Sequence, residues 1–485
     1  MLRVTVNTYY HKRLIHLGLI CAVMAMLVGC ITVGPDYERP TTTLMPAWNS
    51  PLKGGLTAEK IDPKTLGALW MTINDPELSG LIDRAVAGNL DLKKARARVR
   101  EARAQRGVTG ASLFPALDAT GSAAWSRTDK NTGSGRSSEL YSGSFDAAWE
   151  LDIFGGVRRS VEAAEGDLRA SQEDLHDVLV SLLAEMALNY VELRTLQAQI
   201  TATEANLETQ SDTFQLATWR QQAGLSDDLA VQQARYNLEN TRSLMPALRT
   251  SLEEALNRIA VLLGEQPGKI HGELTIRKSI PATPLKIAMG VPADVIRRRP
   301  DVRRVERELA AQTARVGIAT ANLYPKFTLS GSIGLESVAL GNLSSGISSL
   351  LGSPRITWPI FSGGSIRQNI EVQSARQEQA MIKYEATVLS AIEEVENIIT
   401  AYAEQQVRRD SLRLAEEAAR QAAELSQRKY EAGLTDFTGV LEAQRSLLSF
   451  QEQLARSEGV VVSNLIRLYK ALGGGWESLD SKNRS

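Results

Sequence analysis

The chain has 485 residues, with 55 Lys and Arg against 56 Asp and Glu, four histidines and 43% hydrophobic residues. This balanced charge argues against a nucleic-acid-binding protein, which would carry a strongly basic face or stripe. Only His176 and His271 lie beyond residue 30, so a His-rich metal site is not expected. No apolar stretch of about 18 residues follows residue 30, so no membrane-spanning helix is predicted there.

The N-terminus is predicted to be a secretory signal peptide covering residues 1–29. Residues 1–16 contain basic but no acidic side chains, residues 17–28 are apolar, and Leu27-Val28-Gly29-Cys30 follows. This ending resembles the bacterial lipobox, which implies that Cys30 becomes the first residue and carries N-palmitoyl and S-diacylglycerol groups. No other cofactor is expected. A plain signal anchor with an incidental cysteine is the alternative.

The rest of the chain is predicted to be a tandem repeat. Residues 111–122 align with residues 321–332 at an offset of 210, and Ala223–Asp227 matches Ala432–Asp436 at an offset of 209. Matches that stay in register over this distance indicate two copies of one unit. The predicted divisions are a lipidated extended segment (30–74), repeat 1 (75–265), a linker (266–291), repeat 2 (292–473) and a C-terminal tail (474–485).

Each copy is predicted to form a helix, two strands, a long helix, a turn and a second shorter helix. In copy one these are helix 75–112, strands 116–128 and 140–153, helix 157–221 and a helix from the turn to Gly264. In copy two they are helix 293–322, strands 326–337 and 348–361, helix 365–431 and helix 435–472. A helix of about 65 residues spans roughly 98 Å, which matches the two shorter helices of a copy placed end to end. This match predicts a long coiled-coil-like wall.

The four strands alternate between apolar and polar side chains. Leu117 and Ala119 lie on one face and Asp118 and Thr120 on the other, and each strand exceeds the ~9–11 residues that a tilted transmembrane strand needs. This alternation is typical of outer-membrane barrels, although a half-buried soluble sheet shows it too. Barrels have at least about eight strands, and strand edges in lipid must be paired. In a membrane, these strands therefore require several chains.

Seven stretches together resemble one family, the TolC-like outer-membrane factors of the NodT type. These stretches are Cys30–Tyr37 (CITVGPDY), residues 74–105, WELDIFGGVRR (149–159), residues 297–325, WPIFSGG (358–364), AGLTDFTGVLEAQRSL (432–447) and LYKALGGGW (468–476). They cover essentially the whole chain after the signal peptide. The fold class expected from the residues and the resemblance is mixed α and β, with two tandem repeats.

The resemblance implies a homotrimer in which four transmembrane strands per chain form one β-barrel on a periplasmic α-barrel. It also implies a place in the cell outer membrane, a lipid anchor, and partners in a periplasmic membrane-fusion adaptor and an inner-membrane pump. The implied function is the passive, gated exit duct of a tripartite efflux system. No nucleotide site or catalytic motif is recognisable in the sequence, so no enzymatic activity is expected.

The resemblance further implies that the turns at 223–227 and 432–436 lie at the periplasmic tip. The acidic tip position of the family corresponds to Glu442, and Thr438 stands where some members carry an apolar constriction residue. Asp227, Asp228 and Asp436 are further tip acids, for which capping of a helix N-terminus is an alternative role. Arg220, Arg428 and Lys429 lie close enough in sequence to pair with these acids.

Two other functions fit parts of the sequence. A lipid-anchored periplasmic scaffold would use the strands as a soluble sheet. A channel for protein secretion would keep the barrel but transport a different cargo.

Overall fold

The structure is a computed structural model, and it describes residues 32–41, 45–59, 75–127, 135, 137–284, 286–345 and 347–474. The predicted signal peptide, Cys30 and most of the predicted C-terminal tail lie outside these residues. The chain divides into two units. The sheet unit comprises residues up to 41, 98–172 and 304–385, and the helical unit comprises residues 42–97, 173–303 and 386 onward.

The elements follow the predicted order in both copies. In the first part of the chain they are β1 (Leu56–Thr57), α1 (Pro76–Gly88), α2 (Leu90–Ala111), β2 (Ala116–Arg127), β3 (Ser137–Leu151), α3 (Gly156–Gln222), α4 (Asp228–Leu263) and α5 (His271–Leu274). In the second part they are β4 (Ile287–Ala288), α6 (Pro292–Arg298), α7 (Pro300–Ala321), β5 (Lys326–Ser337), a 3₁₀ turn (Leu340–Ser345), β6 (Ile347–Thr357), α8 (Ser365–Glu431) and α9 (Phe437–Ala471). The two repeats and the two long helices, each of 67 residues, are confirmed.

The first helix of each copy is broken, which the sequence prediction missed. In copy one the break is at Asn89, whose ψ of 132° is not helical. Its side chain accepts a hydrogen bond from the backbone N–H of Leu92 at 2.9 Å and donates one to the carbonyl of Leu262 at 2.9 Å. In copy two the break is at Arg299, because the residue before a proline is disfavoured in the helical region. The interruption therefore belongs to the repeat.

The sheet unit contains one antiparallel four-stranded sheet in the order β2-β3-β5-β6. The hairpins β2-β3 and β5-β6 come one from each copy, and β3 pairs with β5 along Tyr141–Leu151. The four predicted strands are thus confirmed as one sheet, and in the single chain both outer strands, β2 and β6, have one edge without a neighbouring strand in that sheet.

Within the same unit, α7 packs against α3 at very short range. A Cβ placed on Gly166 of α3 would lie 2.8 Å from the Cβ of Ala311, and one on Gly156 would lie 3.2 Å from the Cβ of Ala321. A step of ten residues toward the N-terminus of α3 thus matches a step of ten residues toward the C-terminus of α7, so the two helices are antiparallel. An ion pair of 2.5 Å between Arg315 and Asp167 flanks this contact.

The N-terminal segment of the sheet unit is fixed where strand β3 meets helix α3. The backbone N–H of Val33 donates to the carbonyl of Phe154 at 3.1 Å. The buried guanidinium of Arg159 donates to the carbonyl oxygens of Val33 and Gly34 and to the Asp36 carboxylate at 2.6 Å. The segment that follows the predicted lipid anchor is therefore held at the base of the sheet.

The helical unit has two main apolar cores. The larger one buries Leu183, Met186 and Tyr190 of α3 against α1 and α4. The other is built around Tyr402 of α8 and Leu465 of α9, and it includes Leu56 and Ile287 from the short parallel pair β1 and β4. No strand pattern in the sequence marks β1 or β4, because two residues are too short to show alternation.

A search of the described residues for a helix of sufficient length and hydropathy to cross a membrane finds none.

We predict that Gly166→Ala destabilises the protein. Alanine is the better helix former by about 1 kcal/mol, but its methyl group would overpack the contact with Ala311, which typically costs about 1–3 kcal/mol. Gly80→Ala in α1 is the matched control, because its Cβ meets nothing within 4 Å and stability should rise. Circular dichroism during guanidinium unfolding in detergent measures both. Equal stabilisation by the two substitutions would contradict the close contact.

Candidate functional site

The sheet has one apolar and one polar face, as the alternation predicts. Across the strands, Ala119 pairs with Phe145, Phe145 with Ile333, and Ile333 with Leu350, so apolar residues form continuous rows. Phe145, Ile333 and Leu350 are 58%, 57% and 84% exposed in the chain. The apolar face therefore has no protein layer over these rows within the described residues. A patch of this kind marks contact with a membrane or another protein.

The opposite face is a ladder of small polar side chains. The hydroxyl of Thr120 lies 2.8 Å from that of Ser144 and donates to the Asp146 carboxylate at 2.6 Å. The hydroxyls of Ser122 and Ser142 are 2.8 Å apart. This face satisfies its own hydrogen bonds and stays wettable, which suits the lumen of a water-filled duct.

In the helical unit, the long helices α3 and α8 end in the same motif. Gly224 and Gly433 have φ of 70° each, a left-handed conformation that favours glycine. The N–H of Leu225 reaches back to the carbonyl of Arg220 at 2.8 Å, and the N–H of Leu434 reaches that of Lys429 at 2.8 Å. These are Schellman motifs, and they reverse the chain sharply in both repeats.

The predicted tip acids lie directly after these turns. Asp227 caps α4, its side chain accepting from the N–H of Ala230 at 3.2 Å, and Asp436 caps α9, accepting from Gly439 at 3.3 Å. Asp228 is the first residue of α4 and is exposed. The capping role is thus present in the structure for Asp227 and Asp436, and the gating role of the three acids stays a prediction.

Thr438 and Glu442 lie one helical turn apart on α9, and both are exposed in the chain. Residues four apart on a helix share one face, so the two predicted gate residues form one short patch, separate from the capping oxygens. Both side chains are therefore open to contact from outside the single chain within the described residues.

Two of the three basic residues near the turns, Arg220 and Arg428, have other partners than the tip acids. The guanidinium of Arg220 lies 4.8 Å from the centre of the Tyr430 ring and donates to the Tyr430 carbonyl at 3.3 Å. Arg428 is paired at 3.6 Å with Glu424. The expected pairing is therefore wrong for Arg220 and Arg428, because an aromatic face and a neighbouring helix position are closer.

A small apolar core joins the two turns, and the sequence prediction missed it. Ala217 of α3 and Ala230 of α4 pack with Tyr430, Phe437 and neighbouring residues of α8 and α9. The rings of Tyr430 and Phe437 are 5.1 Å apart. Farther along α9, Arg445 stacks at 4.9 Å over Tyr236 and donates to Asn237 at 2.8 Å. These contacts hold the helix pair of one repeat against that of the other.

Among the described residues, no group of three His, Cys, Asp or Glu side chains is placed to hold a metal ion.

Two comparisons of sequence find the same class of protein. The model of the family described as outer membrane efflux protein matches residues 81–265 and, a second time, residues 291–474. Nodulation protein T of Rhizobium leguminosarum bv. trifolii is 32% identical over 453 residues, covering 92% of this chain and 94% of that protein. The solvent efflux pump outer membrane protein SrpC of Pseudomonas putida is 31% identical over 463 residues, covering 93% and 97%.

Solved structures give the same result. The outer-membrane channel OprN superimposes with a TM-score of 0.86 at 34% identity, covering 92% of this chain and 99% of that one. The MtrE outer membrane channel of Neisseria gonorrhoeae, solved in an open state, superimposes with a TM-score of 0.78 at 28% identity, covering 92% and 98%. The similarity thus extends over the sheet and the helices alike.

Two substitutions at Asp436 separate capping from charge. Asp436→Ala removes the capping oxygen and should lower the free energy of unfolding by about 1 kcal/mol. Asp436→Asn keeps a capping oxygen without the charge, so its stability should stay close to that of the parent. Guanidinium unfolding measures both. Equal loss in the two variants would show that the carboxylate charge, and not the cap, stabilises this end of α9.

Proposed function

The chain belongs to the outer membrane efflux protein family, and from this membership we propose that it is the exit duct of a tripartite efflux system in the cell outer membrane. Three copies form one barrel and one helical tube. Substrates delivered by an inner-membrane pump and a periplasmic adaptor pass through it. The chain contributes a passage and a gate, and it catalyses no reaction.

The observation that carries this proposal is the sheet with an uncovered apolar face and two open edges. In lipid an unpaired strand edge is too costly to persist, because no water satisfies its N–H and C=O groups. One chain supplies four strands, whereas the smallest barrels need about eight. Three copies supply enough strands to close the barrel and leave the polar Ser, Thr and Asp ladder facing the lumen.

A soluble scaffold fits this sheet poorly, because it would leave rows that include Phe145 and Leu350 in water. A protein-secretion channel would share the fold. The similar proteins favour efflux, because both SrpC of P. putida and the matching family model are described as outer membrane efflux proteins. We therefore retain efflux and assign the choice of cargo to the pump and adaptor.

Two further features, the N-terminal cysteine and the two helix turns, complete the proposal. Cys30 carries the N-palmitoyl and S-diacylglycerol groups, and the hydrogen bonds of Val33 and Arg159 support an anchor close to the sheet. At the turns, Leu225 and Leu434 are 70% and 77% exposed, so each repeat presents one apolar side chain that a periplasmic adaptor can bury. Glu442, with Thr438 and the three aspartates, forms the acidic gate.

Electron microscopy of the full-length protein, purified from membranes in mild detergent, tests the duct. We expect hollow particles with threefold symmetry and a helical section of roughly 100 Å, the length of a 67-residue helix. Solid rods or single-chain particles in the same detergent would refute the duct and favour the scaffold.

We predict that Glu442→Ala opens the resting gate. In the proposed trimer, three Glu442 carboxylates form a ring that repels anions, and hydrogen bonds that these carboxylates accept from the neighbouring copies would hold the ring closed. If its loss lowers the barrier to ion passage by about 1.4 kcal/mol, single-channel conductance in a planar bilayer should rise about tenfold. Glu431→Ala, which removes an exposed carboxylate at the end of α8, is the control and should leave conductance unchanged. A parental conductance in Glu442→Ala would exclude Glu442 from the gate.

A further inference from the structure

A polar cavity of about 320 Å³ lies between the paired helices α8 and α9 of repeat 2. Beside it the two helices are joined by a hydrogen bond of 2.8 Å from the side chain of Gln405 to the hydroxyl of Ser457. A concave site that gathers charged and amide groups can hold a polar ligand, because these groups fix its orientation. The lining includes Gln405 and Arg408 of α8 and Ser449, Glu452, Gln453 and Arg456 of α9.

The two arginines of this cavity are exposed, and they make no hydrogen bond or ion pair within the part of the chain that the structure describes. The next arginine on α8 differs, since Arg409 is paired with Asp410 at 2.8 Å. A guanidinium carries five N–H donors in a planar fork that matches a carboxylate group. Arg408 and Arg456 therefore have donors available for an anionic ligand.

Glu452 is the one carboxylate among the residues that line the cavity. Its side chain is half-buried, and this burial raises the pKa of its carboxyl, although the positive charge of Arg456 acts in the opposite direction. An ionised Glu452 competes with an anionic ligand for Arg456. The cost of burying the charge of Glu452 weakens that competition.

The helix pair of repeat 1 lacks both of these positive charges. An offset of 209 relates α3 to α8 and α4 to α9, so Arg408 corresponds to Gln199 and Arg456 to Ala247. The helices of repeat 1 pair without a basic side chain at either position. The fold of such a pair therefore does not require the two arginines, and a ligand gives them a role.

The cavity lies on the same side of α9 as Glu442. Glu442, Ser449 and Arg456 are spaced by seven residues, which is close to two helical turns, so they share one face. The opposite face of α9 carries Glu458, which lines a second cavity together with residues 277–279 of the linker between the repeats. If Glu442 faces the lumen of the duct, Arg456 faces it too, about 21 Å farther along the helix.

We infer that this cavity is an anion-binding site in the lumen, where Arg408 and Arg456 hold a carboxylate group of a passing substrate. The inference rests on the proposed function, from which it takes the three copies and the lumen-facing Glu442. Three copies place six guanidinium groups at one level of the duct, and we call these groups the arginine belt. Weak binding suits a passage, because a substrate must leave the site as well as enter it.

The arginine belt and the acidic gate act separately. At physiological ionic strength the Debye length is about 8 Å, much less than their separation of about 21 Å along the helix. The carboxylates of Glu442 therefore do not cancel the field of the belt. A substrate with a carboxylate group is repelled at the gate and attracted beyond it, so the belt favours the onward movement of anionic cargo.

Single-channel recording of the full-length protein in a planar bilayer tests the site. The probe is the dicarboxylate terephthalate, and its neutral diamide, terephthalamide, is the ligand control. Terephthalate should reduce the current of the parent channel while it is bound, and terephthalamide should not. Arg408→Gln and Arg456→Gln should each raise the dissociation constant of this block by roughly twofold to fivefold, the range for an exposed charge pair.

Two further variants control for charge and for folding. Arg413→Gln also removes one positive charge from α8, but from the side near Glu458, and it should leave the block unchanged. Glu452→Gln removes the competing carboxylate and keeps both arginines, so terephthalate should bind roughly twofold to fivefold more tightly. A misfolded protein cannot produce this gain.

The outcomes separate the binding site from the duct. Conducting channels that terephthalate does not block, or whose block is the same in Arg408→Gln, Arg456→Gln and the parent, overturn the inferred site and leave the proposed function intact. An equal loss of block in Arg413→Gln overturns the site as well, because it would show a general effect of charge. A protein that forms no conducting channel, even as Glu442→Ala, overturns the proposed function itself.

Discussion

The assembly of this chain depends on one constraint, the open edges of its four-stranded sheet. Backbone N–H and C=O groups at an edge must find partners, and in lipid water supplies none. The chain leaves β2 and β6 each with one open edge and leaves the apolar rows through Phe145 and Leu350 uncovered. A single copy is therefore an incomplete structure, and completion by further copies is a physical requirement of the membrane.

The tandem repeat relates the helix contacts of the chain to its exposed helix faces. Within the chain, α7 from copy two packs on α3 from copy one through Gly166 and Ala311. The repeat-related faces of α2 in repeat 1 and α8 in repeat 2 are exposed in the single chain. A chain built from two related units thus contains one buried contact between helices and two exposed helix faces that correspond to it. The sheet is organised in the same way: β3 of repeat 1 pairs with β5 of repeat 2, and β2 and β6 each keep one open edge.

Much of this organisation could be predicted from the sequence, because it depends on periodic patterns. The alternation of the strands, the bounds of helix 365–431 and the turns at Gly224 and Gly433 all follow from local residue preferences. The break at Asn89 has no proline to signal it and depends on a hydrogen bond to Leu262, far away in the sequence. The core around Tyr430 and Ala217 brings together residues more than 200 positions apart, which no local pattern records.

The charges beside the contact between α3 and α7 distinguish these two helices from their repeat-related counterparts, α8 and α2. Inside the chain, Arg315 of α7 is paired with Asp167 of α3 at 2.5 Å. The repeat-related positions carry Gln105 on α2 and Arg376 on α8. If α7 of one chain packed on α8 of another in the register of the α3–α7 contact, Arg315 would face Arg376, and two like charges side by side are unfavourable. Gln105 on α2 is neutral, so the charge at this position disfavours α7 as a neighbour of α8 and is compatible with α2.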